Sequence, residues 1–208
     1  CLYRSFLTKA LSAFPDPYNR RSDMETKSRK KKKAIDPSHS LIVVGGGAAG
    51  LMAAIQGAEA GASVTLLEHN EKTGRKICVT GNGRCNLTNL CVNKDSYRGN
   101  HPEFAAEILD QFPVQKTLAF FESIGILTTE KKGWLYPRSA QAKCVPALLE
   151  RKARSLKVKI KTNEHVKAVF RKEDLWQVQT ESWTYSCGAV ILANGSMASS
   201  VDGSDGSG

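Results

Sequence analysis

An α/β fold built on a parallel sheet is predicted by three observations. Leu41 to Val44 is a short apolar run of the kind found in buried parallel strands. A glycine-rich turn and a series of good helix formers follow at once. A second β-type run, Ser63 to Leu67, comes after that helix and ends in Glu68. Together these pieces form a complete βαβ unit.

The glycines of the turn have the spacing Gly45-x-Gly47-x-x-Gly50. The first would permit a tight turn, the second would let the backbone approach a pyrophosphate, and the third would let the helix pack closely on the sheet. The helix start, with the amides of Ala48 and Ala49, offers unpaired N–H groups and a positive dipole end. A glycine turn alone is weak evidence, but here strand, glycines and helix occur in register, which predicts dinucleotide binding.

Glu68 strengthens this prediction because of its place at the carboxyl end of the second strand. A carboxylate there can accept two hydrogen bonds from a ribose diol. The same charge would repel a 2′-phosphate.

Composition and charge limit the class of protein. The 208 residues are 41% hydrophobic and 24% charged, which is ordinary for a globular protein with a real core. No apolar run approaches the ~18 residues needed to span a bilayer, so we expect a cytoplasmic protein without a membrane segment. The net charge of +10 is concentrated in the N-terminal arm.

Two regions are predicted along the chain. Residues 1–39 contain prolines and the cation run Arg29 to Lys33, and we interpret them as a disordered basic arm. The run could contact nucleic acid, although a solvated tail is the preferred interpretation. Residues 40–208 are predicted to form a single Rossmann-like domain. Its closing Ser/Gly/Asp tail resembles an interrupted loop, so we expect a fold that is incomplete at the C-terminus and belongs to a longer protein.

The six cysteines form no C-x-x-C pair and no zinc-ligand pattern. The chain is also too large and too rich in core residues to be a disulfide scaffold. We therefore expect free thiols and no metal site.

The segment from His69 to Asn89 is rich in glycines, cations, amides and hydroxyls and has no helical period. We predict an irregular loop ordered by cofactor contact, because glycines admit a ligand and Lys or Arg neutralise phosphate. Apolar spacing predicts helices and strands in the rest of the chain. The predicted helices are 102–112, with an apolar stripe expected in the core, 114–123 and 144–156. The predicted strands are 134–137 and 157–161, an antiparallel meander within 165–187, and a central parallel strand at 189–193.

Taken together, these pieces resemble the FAD domain of the glutathione-reductase class of flavoproteins. That class has an N-terminal βαβ unit ending in an acid, a β-meander crossover, and an apolar strand that ends in an Ala-Thr-Gly-type turn. Here the turn is Ala193-Asn194-Gly195. The change to asparagine keeps a short side chain that can form hydrogen bonds.

The segments GRKICVTGNGRCNLTN (Gly74 to Asn89) and GWLYPRSAQA (Gly133 to Ala142) are similar to one branch, the BaiN-like, aminoacetone-oxidase-like family of NAD(P)/FAD-dependent oxidoreductases. The resemblance implies FAD, with its pyrophosphate on the glycine turn and its adenosine ribose on Glu68. It implies NAD(P)H as a candidate reductant. It also implies further contacts near the pyrophosphate or flavin, at the adenine, and beside the cofactor: Lys76, Arg84, Cys85, Asn86; Val166; and Ala193, Asn194, Gly195.

The leading hypothesis is a flavoenzyme that exchanges hydride or electrons with a small organic substrate. No catalytic residue is visible in the sequence. One alternative is a dithiol–disulfide flavoenzyme that uses Cys78, Cys85 or Cys91. A second is a non-catalytic basic binding protein, with nucleic acid as partner and a structural nucleotide. A third is direct binding of NAD(H) by the glycine turn.

Overall fold

The computed structural model describes residues 36–93 and 96–196, which divide into two compact units. The first unit holds residues 36–72 and 153–194, and the second unit holds the other described residues. The predicted basic arm lies outside the described residues except for its last four positions, where Pro37–His39 forms a 3₁₀ turn. The Ser/Gly/Asp tail also lies outside them. A single domain over 40–208 stays a prediction.

Five helices and ten strands are found in the described residues. In chain order they are β1 (Ser40–Val44), α1 (Ala48–Glu59), β2 (Ser63–Leu67), α2 (Arg75–Gly83), β3 (Thr88–Asn89), α3 (Pro102–Gln111), α4 (Val114–Ser123), β4 (Thr128–Lys131), β5 (Trp134–Pro137), α5 (Cys144–Ser155), β6 (Lys159–Lys161), β7 (Val166–Lys172), β8 (Leu175–Thr180), β9 (Thr184–Cys187) and β10 (Ala189–Leu192).

The first unit is organised around a four-stranded sheet of order β10-β1-β2-β6, in which all pairings are parallel. Four consecutive apolar residues make β1, and all four are buried, because the strand lies inside the sheet with both faces covered. Helix α1 buries Leu51 and Ile55 completely. The predicted α/β Rossmann-like fold is confirmed.

The predicted antiparallel meander is also confirmed as the three-stranded sheet β7-β8-β9. Val178 and Cys187 of this sheet join Ile42, Val44 and Leu67 in one buried cluster. Because side chains alternate along a strand, these residues of β1 can pack against the meander while Val43, also fully buried, faces the opposite side.

Two strand predictions need correction. The strict alternation from Lys157 to Lys161 is a strand only from Lys159, because Lys157 has the left-handed backbone (φ 65°) typical of a helix end and follows α5. The last apolar strand, β10, pairs with β1 but lies at the edge of the described sheet rather than at its centre. Leu192 on it is accordingly 61% exposed.

The second unit contains α2 to α4, most of α5 and the small antiparallel sheet β3-β5-β4. Helices α3 and α4 lie where the apolar spacing predicts them, and Gly125 ends α4 with a left-handed backbone (φ 92°). The expectation that the α3 stripe belongs to the core is wrong. Phe104 is 59% exposed, and Ile108 and Phe112 are exposed as well. Helical spacing shows that three residues share a face, but not whether another element covers it.

Candidate nucleotide-binding site

Gly45 makes the turn at the end of β1. Its backbone has φ 98°, a left-handed value that side chains rarely adopt, and its amide donates to the Leu67 carbonyl at 2.7 Å. A Cβ atom here would lie 2.5 Å from the carbonyl oxygen of Ala193. Ala193 in turn donates its amide to Val44 at 2.8 Å. The end of β10 therefore packs directly against the turn, as the predicted site requires.

Gly50 and Gly47 are glycines for different physical reasons. A Cβ atom on Gly50 would overlap the carbonyl oxygen of Gly45, so close packing of α1 on the turn excludes any side chain there. Gly47 has an ordinary backbone (φ −75°), and a Cβ atom built on it meets nothing within 4 Å. The packing of the protein does not require glycine at position 47. The open space above its backbone fits the close approach of a ligand.

The start of α1 supplies hydrogen-bond donors beside this space. The first intrahelical bond runs from the Leu51 amide to the Gly47 carbonyl, at 2.9 Å. Helix geometry leaves the amides of Ala48, Ala49 and Gly50 without intrahelical acceptors. The helix has no side-chain cap and no acid in its first turn. A diphosphate fits such a helix start, because donors and the helix dipole both favour an anion.

Glu68 is buried, with 5% of its surface exposed. Its Oε2 accepts a hydrogen bond from the Gly46 amide at 2.6 Å, and its Oε1 accepts from the Asn70 backbone amide at 2.8 Å and from Asn70 Nδ2 at 2.7 Å. The carboxylate thus joins the glycine turn to the end of β2. A carboxylate offers about four acceptor positions, so Oε2 retains one for a ribose hydroxyl.

The other first-unit residues of the predicted site lie around these two features. Val166 begins β7 and is half-buried, and the segment before it is held at the Glu68 backbone by the Glu164 amide, which donates to the Glu68 carbonyl at 2.9 Å. Asn194 follows Ala193, and its Cα would lie 2.8 Å from a Cβ on Gly45. The structure brings these residues to the same end of the sheet, at the carboxyl ends of its parallel strands.

The segment predicted to be an irregular loop is partly helical in the second unit, and that prediction is wrong for Arg75–Val79. Helix α2 starts after Gly74, which has a left-handed backbone (φ 70°), and is interrupted at Thr80 to Asn82. The low apolar content concealed the helix, since most of its side chains are polar and only Ile77 is buried. Lys76 lies on this helix and is half-buried.

The break after α2 has an unusual backbone. Asn82 and Cys85 both have positive φ, 54° and 60°, although neither is glycine. Such conformations are uncommon for residues with side chains and cluster at functional sites. The Cys85 amide donates to the Thr80 carbonyl at 3.0 Å, which closes the loop. The predicted cofactor segment is therefore a strained turn that the surrounding structure holds in place.

Arg84 and Asn86 flank Cys85 in this turn. The Arg84 guanidinium lies over the Tyr136 ring, with Cζ 5.1 Å from the centroid, and Nε donates to the Gly81 carbonyl at 3.3 Å. Asn86 Oδ1 is buried without a hydrogen-bond partner in the described residues. Buried acceptors are normally satisfied, so this atom fits contact with an N–H or O–H donor from outside the protein.

The thiol of Cys85 is buried and not activated. Burial raises the pKa of the Cys85 thiol, the hydrogen bond to Thr80 lowers it, and the nearby thiols of Cys144 and Cys78 raise it. Cys91 is exposed and is not among the groups that shift this pKa. All the cysteines that the structure describes are free. No cluster of metal-ligating side chains occurs among residues 36–93 and 96–196.

Sequence reasoning missed four residues that organise the site: Gly46, Asn70, Tyr136 and His69. Asn70 could have been found from its place two residues after the acid, where a side chain can fold back onto the strand end. Tyr136 lies in a quoted motif but carries no sign of its contact with Arg84. Gly195 lies in the second unit with φ 90°.

In the portion of the chain that the structure describes, no helix is long and apolar enough to cross a membrane.

Comparisons with known proteins agree with this geometry. Over 168 residues the chain is 45% identical to a 3-dehydro-bile acid delta(4,6)-reductase of Clostridium scindens, a match that covers 80% of this chain and 41% of that protein. It is 32% identical over 162 residues to a ribosomal RNA dihydrouridine synthase of Haemophilus influenzae, covering 76% of this chain and 40% of the relative. The chain thus spans about two fifths of the length of these curated relatives.

One solved structure supports the fold. The crystal structure of 3-ketosteroid-delta4-(5alpha)-dehydrogenase from Rhodococcus jostii matches with a TM-score of 0.60 at 15% identity, covering 84% of this chain and 49% of that one. At such low identity the likeness shows a common fold alone. The family model of the HI0933-like protein Rossmann domain matches residues 39–208. The chain therefore belongs to the HI0933-like Rossmann-domain family, a family of FAD-dependent oxidoreductases.

Proposed function

We propose that this chain binds FAD and that the protein reduces a carbon–carbon double bond conjugated to a carbonyl group in a small organic substrate. The observation that carries the cofactor assignment is the open space at Gly47, where nothing in the fold requires a glycine. That space lies at the start of α1 and is followed in sequence by a buried acid at the end of β2. This is the arrangement that a dinucleotide needs for its pyrophosphate and ribose.

In this proposal each unit contributes different chemistry. The amides at the start of α1 bind the pyrophosphate, and Glu68 accepts the ribose hydroxyls through the free position on Oε2. Val166 contacts the adenine through its backbone, and the turn Ala193–Gly195 lies beside the cofactor. In the second unit Lys76 and Arg84 neutralise phosphate charge, since both are cations. Cys85 and Asn86 lie nearer the flavin, where a buried acceptor such as Asn86 Oδ1 can receive an N–H or O–H donor.

The reaction class is supported by the names of the curated relatives. One name denotes a reductase of the delta-4,6 double bonds of a 3-dehydro-bile acid, and another a synthase of dihydrouridine in ribosomal RNA. Forming dihydrouridine from uridine adds two hydrogens across a ring double bond next to a carbonyl, so both names describe the same kind of acceptor. When bound, the flavin supplies the hydride for such a reduction. We propose NAD(P)H as the reductant of the flavin.

The cofactor assignment is tested by absorption spectroscopy of purified Gly47→Val protein. A branched side chain at position 47 would fill the space that the pyrophosphate needs, so we expect almost complete loss of bound flavin. Gln56→Val is the matched control, because Gln56 is exposed on the same helix and has no role in the site. Flavin content unchanged by Gly47→Val would contradict the proposed position of the pyrophosphate.

The reaction class is tested separately by mixing photoreduced, anaerobic protein with a steroid 3-oxo-4-ene. We expect the flavin absorbance to return as the alkene is reduced. Reoxidation by disulfides but not by any conjugated enone would instead favour the dithiol alternative.

A second candidate substrate is uridine in RNA. It is favoured by a second dihydrouridine synthase among the relatives, from Escherichia coli at 28% identity over 158 residues. The exposed cations Lys131, Lys132, Arg138 and Lys143 of the second unit also favour it. Flavin reoxidation by ribosomal RNA but not by enones would select this candidate. Its binding should weaken steeply with added salt.

A further inference from the structure

Two imidazole rings lie beside Glu68 in the first unit, and neither belongs to the site described above. His69 follows Glu68 directly, and its Nδ1 is 3.2 Å from Glu68 Oε1. His165 comes from the segment between β6 and β7. The centroids of the two rings are 6.0 Å apart, and their planes are inclined by 44°. At this distance aromatic rings contact each other, so they form one continuous surface rather than a slot.

The backbone holds this surface at the ribose-binding acid. The Glu164 amide donates to the Glu68 carbonyl at 2.9 Å, and the Asn163 amide donates to the Asn70 carbonyl at 3.1 Å. The segment that carries His165 is therefore bonded on both sides to the segment that carries His69. The proximity of the two rings follows from backbone pairing and does not depend on one side-chain rotamer.

The charges around the rings favour an uncharged, base-binding surface. Lys167 Nζ lies 3.4 Å from His165 Nδ1, and an ammonium group can only donate, so Nδ1 accepts and the proton of the neutral ring is on Nε2. Lys167 is itself paired with Glu181 at 2.7 Å. His69 donates from Nδ1 to the Glu68 carboxylate. Both rings remain solvent-exposed in the protein, with 47% of the His69 side chain accessible.

We propose that His69 and His165 form the stacking surface for the adenine base of the bound dinucleotide. This inference rests on the proposed function, because it takes Glu68 as the ribose-binding acid. The base is attached to the ribose carbon next to the one that bears the 2′-hydroxyl. A ribose bound by Glu68 therefore places its base beside the ring that touches the same carboxylate. Aromatic side chains bind bases by stacking without needing specific hydrogen bonds.

The experiment compares His69→Ala, His165→Ala, His69→Phe and His165→Phe by titration calorimetry with FAD, ADP and FMN. ADP shares the adenosine diphosphate of FAD, and FMN lacks it. We expect each alanine variant to weaken binding of both FAD and ADP by about fivefold or more. The phenylalanine variants should keep near-normal affinity, because they retain a stacking ring. Any binding of FMN should be unchanged.

His39→Ala serves as the matched control, since His39 is an exposed histidine of the same unit that lies beside Asp36. Thermal unfolding of each variant separates loss of fold from loss of binding. Alanine variants that bind FAD and ADP like the unmodified protein would overturn the stacking role and leave the proposed function intact. Phenylalanine variants as weak as alanine would also overturn it, because the rings would then act through hydrogen bonds. Unmodified protein that binds neither FAD nor ADP would overturn the proposed function itself.

Discussion

The Glu68 carboxylate accepts a hydrogen bond from the Gly46 amide across 2.6 Å, and this bond joins the two halves of the βαβ unit at its ligand-binding end. The acid at the end of β2 thus has a structural partner as well as a proposed ribose partner. Because Asn70 donates twice to the other carboxylate oxygen, the orientation of the carboxylate is set before any ligand arrives. Preorganisation of this kind reduces the entropy lost on binding.

Glu68→Gln should weaken FAD binding by roughly 10- to 100-fold, since a charged acceptor in a buried site contributes about 1.5–3 kcal/mol per hydrogen bond. Fluorescence quenching of FAD on titration with protein measures the affinity. Glu71→Gln is the control, because Glu71 is exposed nearby. Equal affinities for the Glu68→Gln and Glu71→Gln proteins would show that the ribose is bound elsewhere.

Gly50→Ala and Gly47→Ala should have opposite effects on stability and binding. At position 50 a methyl group overlaps the Gly45 carbonyl oxygen, so we expect a loss of about 1–3 kcal/mol in the free energy of unfolding. At position 47 the methyl group meets no protein atom, so the loss should stay below about 1 kcal/mol. Urea unfolding measures both. If the two variants unfold at the same urea concentration, the close packing of α1 on the turn is wrong.

Tyr136→Leu should lower FAD affinity about two- to fivefold, because the guanidinium of Arg84 would lose the ring that holds it over the turn. Tyr136→Phe keeps the ring and should bind FAD normally. The comparison also separates the ring from the phenol hydroxyl. A phenylalanine variant as weak as the leucine variant would point to the hydroxyl instead.

Cys85 should react with iodoacetamide far more slowly than the exposed Cys91 at pH 8. Burial raises the pKa of the Cys85 thiol, so less of the reactive thiolate exists at a given pH, and its reaction should accelerate only at higher pH. Mass spectrometry of the native protein after timed alkylation measures both rates. Rapid labelling of Cys85, together with two additional thiols on flavin reduction, would revive the dithiol alternative.

The βαβ unit could be predicted from local sequence because each of its parts obeys a local rule. Four apolar residues can only form a strand buried on both faces, and the spacing of the glycines follows from backbone geometry. Helix α4 matched its prediction because an apolar period and a closing glycine, Gly125, coincided. In contrast, α2 escaped prediction because a short polar helix that ends in a strained turn carries no apolar period.

The sequence by itself determined that a strand, a glycine turn, a helix and an acid-ended strand follow in register, since these depend on residues close together in the chain. Only the tertiary structure decided which glycine is required by packing and which leaves a space, because Gly50 meets a carbonyl oxygen and Gly47 meets nothing. It also decided that Phe104 is exposed and that His165 lies beside His69. Such relationships depend on contacts between distant segments, and no local pattern encodes them.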